Sequence, residues 1–184
     1  MARNILILTG SPRKRGNSDL MADAFADGAR EAGHQVVKFE TAFKKIGGCR
    51  ACEKCWSSGE PCIFPDDFRA LAPLLEAADT VVLATPLYYF SFSAQIHAAI
   101  NRSYCYIVPA CERPLRIKDS FLLTCAEMPD PWIFDGIVKS YENIARFLGW
   151  QDRGQVHAYS VQKVGDIKGT EYLEQAYQLG RSLE

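Results

Sequence analysis

Asn4-Ile5-Leu6-Ile7-Leu8-Thr9-Gly10-Ser11-Pro12-Arg13-Lys14-Arg15-Gly16-Asn17-Ser18 is an apolar, β-branched run that breaks into a basic turn rich in glycine, hydroxyl and amide groups. The first six residues read as a buried strand. A helix is expected over 18–32, because Leu20, Met21, Ala24, Phe25 and Ala32 recur at helical spacing and Gly33 stops it. Outward from this strand–turn–helix unit the same alternation continues. Strands are expected over 35–40, 80–84, 120–125 and 155–161, and helices over 66–78, 93–102, 130–148 and 170–183. Asp130 and Pro131 read as the cap and first turn of the fourth helix, and Gly149 as its stop. Five strands alternating with helices predict an α/β three-layer sandwich, a parallel sheet covered on both faces, in the order 2-1-3-4-5.

The chain, residues 1–184, is expected to form one domain, long enough to bury a core without disulfide staples. A formal net charge of −1 argues against nucleic acid or an anionic membrane as the main partner. The longest apolar run near the start, residues 5–8, is too short for a membrane span or a signal-peptide core, so a cytoplasmic location is expected. Seven cysteines, an odd number, argue against a disulfide framework.

In a doubly wound sheet, ligands bind beyond the carboxyl ends of the strands where the strand order reverses. The turn at 10–18 lies there and opens a helix, whose free N–H groups and dipole favour an anion. Ser11, Asn17 and Ser18 add donors and Arg13 a charge, a set suited to a terminal phosphate. Neither GxxxxGK[ST] nor GxGxxG is present, so a triphosphate or dinucleotide loop fits worse, and a solvated basic turn is the plain alternative. The connection at 85–93, TPLYYFSFS, carries four aromatic rings where polar residues are expected. It belongs to the third strand, adjacent to the first, and could wall a flat aromatic cofactor or cover a subunit contact. Tyr88, Tyr89, Phe90 and Phe92 together give more exposed aromatic surface than a monomer normally tolerates, so a homodimer or higher oligomer is expected.

The segments GSPRKRGNS (10–18), CRACEKCWSSGEPCIFPDDF (49–68) and TPLYYFSFSAQ (85–95), with FLGW (147–150) and AYQLGRSL (176–183), resemble the NAD(P)H-dependent FMN reductase branch of the flavodoxin superfamily, the group that includes iron–sulfur flavoproteins. The resemblance implies a flavodoxin-like fold and an FMN-dependent oxidoreductase. It would pass electrons from NAD(P)H through FMN to a small acceptor such as a quinone, flavin, nitro or azo compound. It implies that Ser11, Arg13, Asn17 and Ser18 hold the FMN phosphate and that Pro86, Leu87, Tyr88, Tyr89 and Phe90 wrap the ring. Ala126 and Glu127 would touch the ring's far side. The chain departs from the pattern at His97 and Asn101, where relatives often carry Lys and Asp, and at Cys125–Met128, where a glycine-rich turn is common. No side chain is assigned a catalytic role, because the flavin carries the chemistry. The alternative is an electron carrier between protein partners.

Cys49, Cys52, Cys55 and Cys62 follow C-x2-C-x2-C-x6-C within the irregular stretch 41–65. Free or redox-active thiols are the favoured reading, a 4Fe-4S cluster the second and a four-thiolate zinc site the third. The four are expected close together and beside the flavin edge. Asp66-Asp67 reads as a helix start and not an acid–base pair.

Overall fold

The computed structural model describes residues 1–183. Five parallel strands, β1 (Asn4–Thr9), β2 (Gln35–Glu40), β3 (Thr80–Pro86), β4 (Asp119–Cys125) and β5 (Gln151–Ala158), lie in the order β2-β1-β3-β4-β5. This is the predicted flavodoxin-like sheet. Five helices cover it: α1 (Asn17–Glu31), α2 (Phe68–Ala77), α3 (Ala94–Arg102), α4 (Asp135–Leu148) and α5 (Glu171–Arg181).

The two-residue period of the strands divides the core. Leu6 and Leu8 of β1 point to one face, with Val81 and Leu83 of β3, and meet Phe68, Leu71, Ile96, Ile137 and Tyr141. Ile5, Ile7, Val82 and Ala84 point to the other and meet Met21, Phe25 and Ala176. Both faces of β1 and β3 are therefore buried, which is why these strands read as unbroken apolar runs. On the second face α1 and α5 touch backbone to backbone. A Cβ on Gly28 would stand 2.1 Å from the Tyr177 carbonyl oxygen, and one on Gly180 would stand 2.1 Å from that of Phe25.

Two elements and one residue depart from expectation. β5 spans Gln151–Ala158, not 155–161. Its first residues are polar because it is an edge strand, and charge there is a normal guard against further pairing. Its ladder with β4 shifts register between Ser120 and Leu122, beside Gly154 at φ 151°. It ends where Ser160, at φ 55°, turns the chain off the sheet. The fourth helix begins as a short 3-10 turn, Pro131–Phe134, and Asp130 makes no side-chain cap bond to it. Phe92 is buried in the core and does not belong to the exposed aromatic set. Gly149 ends α4 at φ 72° as expected, in the left-handed region glycine tolerates.

Candidate functional site

The carboxyl ends of β1, β3 and β4 open on a cavity of about 470 Å³. All eleven residues picked from the sequence line it: Ser11, Arg13, Asn17 and Ser18; Pro86, Leu87, Tyr88, Tyr89 and Phe90; Ala126 and Glu127. Gly10 lets the first loop leave β1 tightly against the third. A Cβ there would lie 2.4 Å from the Ser93 hydroxyl oxygen and 3.0 Å from that of Thr85. Ser11 Oγ lies 3.1 Å from both the Arg13 amide and the Arg13 carbonyl, which folds the turn back on itself. Helix α1 then starts at Asn17, with its first bond from Leu20 N–H to the Gly16 carbonyl at 2.9 Å. The N–H groups of its first turn have no carbonyl four residues back. Ser18 Oγ is buried, with the Cys125 thiol beside it and no nitrogen or oxygen partner among the described residues. A buried hydroxyl so placed at a helix N-terminus fits an anionic oxygen such as a phosphate.

Two of the picked residues do more than face the cavity. Asn17 donates to the Lys163 carbonyl at 3.0 Å and accepts from the Gly165 and Ile167 amides at 3.1 and 3.3 Å. Its side-chain amide therefore fastens α1 to the loop after β5, which leaves its backbone N–H as the group available to an anion. Arg13 donates to the Gln162 carbonyl at 2.9 Å, across the cavity rim. Asp19, a carboxylate in the same first turn, is turned away. It accepts from Lys38 at 3.0 Å and from the Arg15 amide at 3.1 Å. Burial alone would lower the Lys38 pKa, but hydrogen bonds to Asp23 and Asp19 outweigh it and raise the pKa above its ordinary value.

The aromatic wall is a tight turn. Tyr88 and Ser91 exchange two backbone hydrogen bonds at 3.0 Å, with Tyr89 and Phe90 at φ 46° and 62° between them. Glycine and asparagine normally occupy such positions, so two bulky aromatics there hold local strain. Leu87 donates to the Cys125 carbonyl at 2.9 Å, and Val161 to that of Ala126 at 3.0 Å. These bonds lace the β3, β4 and β5 loops into one rim.

Gly16, Cys125, Met128, Ile133, Val161, Gln162 and Val164 also line the cavity and were not picked from the sequence. Val161, Gln162 and Val164 were hidden by the misplaced end of β5. With the strand ending at 158, the rule that ligands sit at carboxyl ends finds them. Cys125 is buried in the cavity wall beside Ser18, and burial pushes its thiol up to about 12. It stays protonated near neutrality.

The cysteine segment forms a second, separate hollow of about 20 Å³, lined by Cys49, Cys52, Cys55 and Cys62 with Phe64, Arg102 and Cys105. The four do gather, but they share no lining residue with the cavity. They lie against Arg102 at the end of α3, whose start is the aromatic loop; nine helical residues, about 13 Å of helix, intervene. The cysteine hollow is thus an opening separate from the cavity. Among the described residues no three of His, Cys, Asp or Glu are arranged to hold a metal ion, and no disulfide forms. As arranged, the thiols do not fit a closed metal site. Asp66 is structural. It pairs with Arg102 at 2.6 and 3.2 Å and accepts from the Phe68 amide at 3.1 Å.

A doubly wound 2-1-3-4-5 sheet with a phosphate-suited loop facing an aromatic loop defines a flavodoxin-like protein of the flavin-binding kind. The chain belongs to the NADPH-dependent FMN reductase family, whose pattern it matches over residues 3–126. It is similar to an iron–sulfur flavoprotein of Archaeoglobus fulgidus, with 39% identity over 99 residues, 54% of this chain and 44% of that one. The matches span about half the length of the curated relatives. Among solved structures, an NAD(P)H:quinone oxidoreductase from Methanothermobacter marburgensis superposes with a TM-score of 0.78 at 19% identity, covering 100% of this chain and 97% of that one. An FMN-dependent NADH-azoreductase from Bacillus anthracis in complex with FMN superposes with a TM-score of 0.64 at 16% identity, covering 98% and 96%. Among the described residues no helix is long and apolar enough to cross a membrane.

Proposed function

We propose that the protein is an FMN-dependent oxidoreductase that passes electrons from NAD(P)H to a small acceptor. The observation that carries this is the joining, in one cavity, of a buried hydroxyl with no nitrogen or oxygen partner among the described residues, at a helix N-terminus, with a wall of aromatic and apolar side chains. One end suits a phosphate and the other a flat apolar ring. Ser11, Arg13, Ser18 and the first-turn amides of α1 hold the phosphate. Pro86 to Phe90 line one side of the ring, and Ala126, Glu127 and Met128 the other. When bound, the flavin supplies hydride acceptance and electron transfer. The protein's part is binding, orientation and exclusion of water; no side chain moves a proton, and Cys125 remains a neutral wall. Quinones, flavins, nitro and azo compounds are the acceptors this reading admits, with a homo-oligomer in the cytoplasm as its setting.

The test is a pair of titrations of flavin-stripped protein with FMN and riboflavin. FMN binds more tightly, and Arg13→Ala erodes that advantage by about tenfold to a hundredfold, as expected for a charge-assisted bond. Equal affinity for the two flavins in the unmutated protein rules out the phosphate role. A second reading is an electron carrier between proteins in which Cys49, Cys52, Cys55 and Cys62, which do not form a closed metal site as they stand, rearrange around a 4Fe-4S cluster; the name of the Archaeoglobus relative supports it. Iron and sulfide analysis of strictly anaerobic protein decides it. No iron, with rapid NAD(P)H oxidation, leaves the enzyme reading alone.

A further inference from the structure

Trp132 stands outside the cavity lining yet is bound to it. Its ring stacks on Phe90 with centroids 5.4 Å apart and planes at 28°. Both rings remain about half exposed, Phe90 at 45% and Trp132 at 55%. The pair is held from three sides. The strained turn at Tyr89 and Phe90 fixes one ring. Pro129 and Pro131 stiffen the approach to the other. Helix α4 abuts the turn so closely that a Cβ on Gly136 would lie 2.6 Å from the Phe90 carbonyl oxygen.

The direction of the cavity gives the pair a purpose. Its anionic side is the start of α1, and Phe90 belongs to the aromatic loop after β3 that lines the cavity with it. A ledge continuing outward from Phe90 therefore lies beyond a bound ring, where a second reactant must enter. Two parallel, half-exposed rings offer a flat apolar face, which rewards a planar aromatic partner by stacking.

We infer that Trp132, stacked on Phe90, is the outer wall of the acceptor site and a specificity-determining residue that favours planar aromatic acceptors of the quinone type. This rests on the oxidoreductase reading above. The net conversion is NAD(P)H plus quinone plus a proton giving NAD(P)⁺ plus hydroquinone. Two electrons and a proton come from the nicotinamide, and the second proton comes from solvent.

The experiment uses the FMN-loaded full chain, with a naphthoquinone as the planar probe and ferricyanide as the non-stacking acceptor. Trp132→Ala is expected to lower the quinone-to-ferricyanide ratio of kcat/KM by roughly two- to tenfold through the quinone KM. Trp132→Phe, which keeps a ring against Phe90, restores most of it. Calorimetry of the naphthoquinone with oxidised protein, without NAD(P)H, should show the same loss and rescue. Naphthoquinone binding that weakens in Trp132→Ala while the unmutated protein oxidises no NAD(P)H keeps the wall and removes the oxidoreductase reading. Unmoved quinone KM and binding, with NAD(P)H oxidation intact, remove the wall and keep that reading. A change of sedimentation in Trp132→Ala with an unaltered acceptor ratio makes the stack a subunit contact and overturns the inference.

Discussion

Ser18, buried, and His157, half-buried, show how one polar group reports on the surroundings it was folded for. The Ser18 hydroxyl has lost water and has only the Cys125 thiol, a weak hydrogen-bonding group, beside it, which is costly unless a ligand supplies a better partner. Ser18→Ala should therefore leave or raise the stability of the flavin-free protein while weakening FMN by roughly tenfold to a hundredfold. Thermal melts with and without FMN check both halves. If the variant melts lower without flavin and binds FMN unchanged, the hydroxyl is a packing group. His157 stacks on Phe134 at 5.2 Å, with Nε2 2.9 Å from Gln155 Oε1. Burial holds its imidazole below the ordinary 6.5, against an opposing pull from Asp152. The unfolded chain thus takes up the proton more readily than the folded one. The contribution to stability is complete above about 6.5 and is lost as pH falls below it toward the folded value. The urea midpoint should fall on going from pH 7.5 to pH 5.5 in the native chain, and fall less in His157→Gln. An identical fall in both would assign the acid sensitivity to other groups.

The elements were legible in proportion to how much of their pattern burial alone had set. β1 and β2 appear at their expected bounds, because apolar runs punctuated by Gly33 and the 10–18 turn leave little choice. β5 was displaced because its first half is polar and its end is marked by a backbone reversal at Ser160, not by glycine or proline. The same error hid the Val161–Val164 side of the cavity, so a site misread followed from an element misread. All eleven residues picked from the two loops and the end of β4 do reach one cavity, since their place follows from topology and not from side-chain detail. Close approaches between elements were not legible. Nothing local marks Gly136 as the residue on which α4 meets the aromatic turn. Gly136→Ala should push the Phe90 carbonyl away and cost about 1–3 kcal/mol by overpacking. A denaturant midpoint unchanged from the native value would show that the turn yields freely, and the braced aromatic wall would then be a soft one.

At the scale of the whole molecule, the two cysteine-bearing regions and the cavity must be considered together. The four clustered thiols were expected to gather, and they share a hollow in the segment before α2, against Arg102 at the end of α3, with no lining residue in common with the cavity. Arg102 is nearly fully buried and paired with Asp66, a long-range contact that spacing cannot announce. Several large apolar side chains are exposed at or beside the cavity mouth. Tyr89 is 99% exposed, and Tyr88, Phe90, Met128 and Trp132 are each at least two-fifths exposed. Aromatic side chains exposed together at a cavity mouth mark a contact or ligand surface more often than idle solvent boundary. A full tyrosine ring held in solvent by a strained turn gains nothing in an isolated chain, because glycine would relax the same turn. A second copy closing over Tyr89 would bury that ring and deepen the mouth beside Phe90, with Trp132 stacked outside it. FMN-loaded protein should therefore sediment as a dimer or larger assembly at micromolar concentration, and Tyr89→Asp should shift it toward monomer by placing a charge in the contact. If the native protein runs as a monomer with flavin bound, the aromatic mouth serves ligands alone and the strain at Tyr89 and Phe90 has no role in assembly.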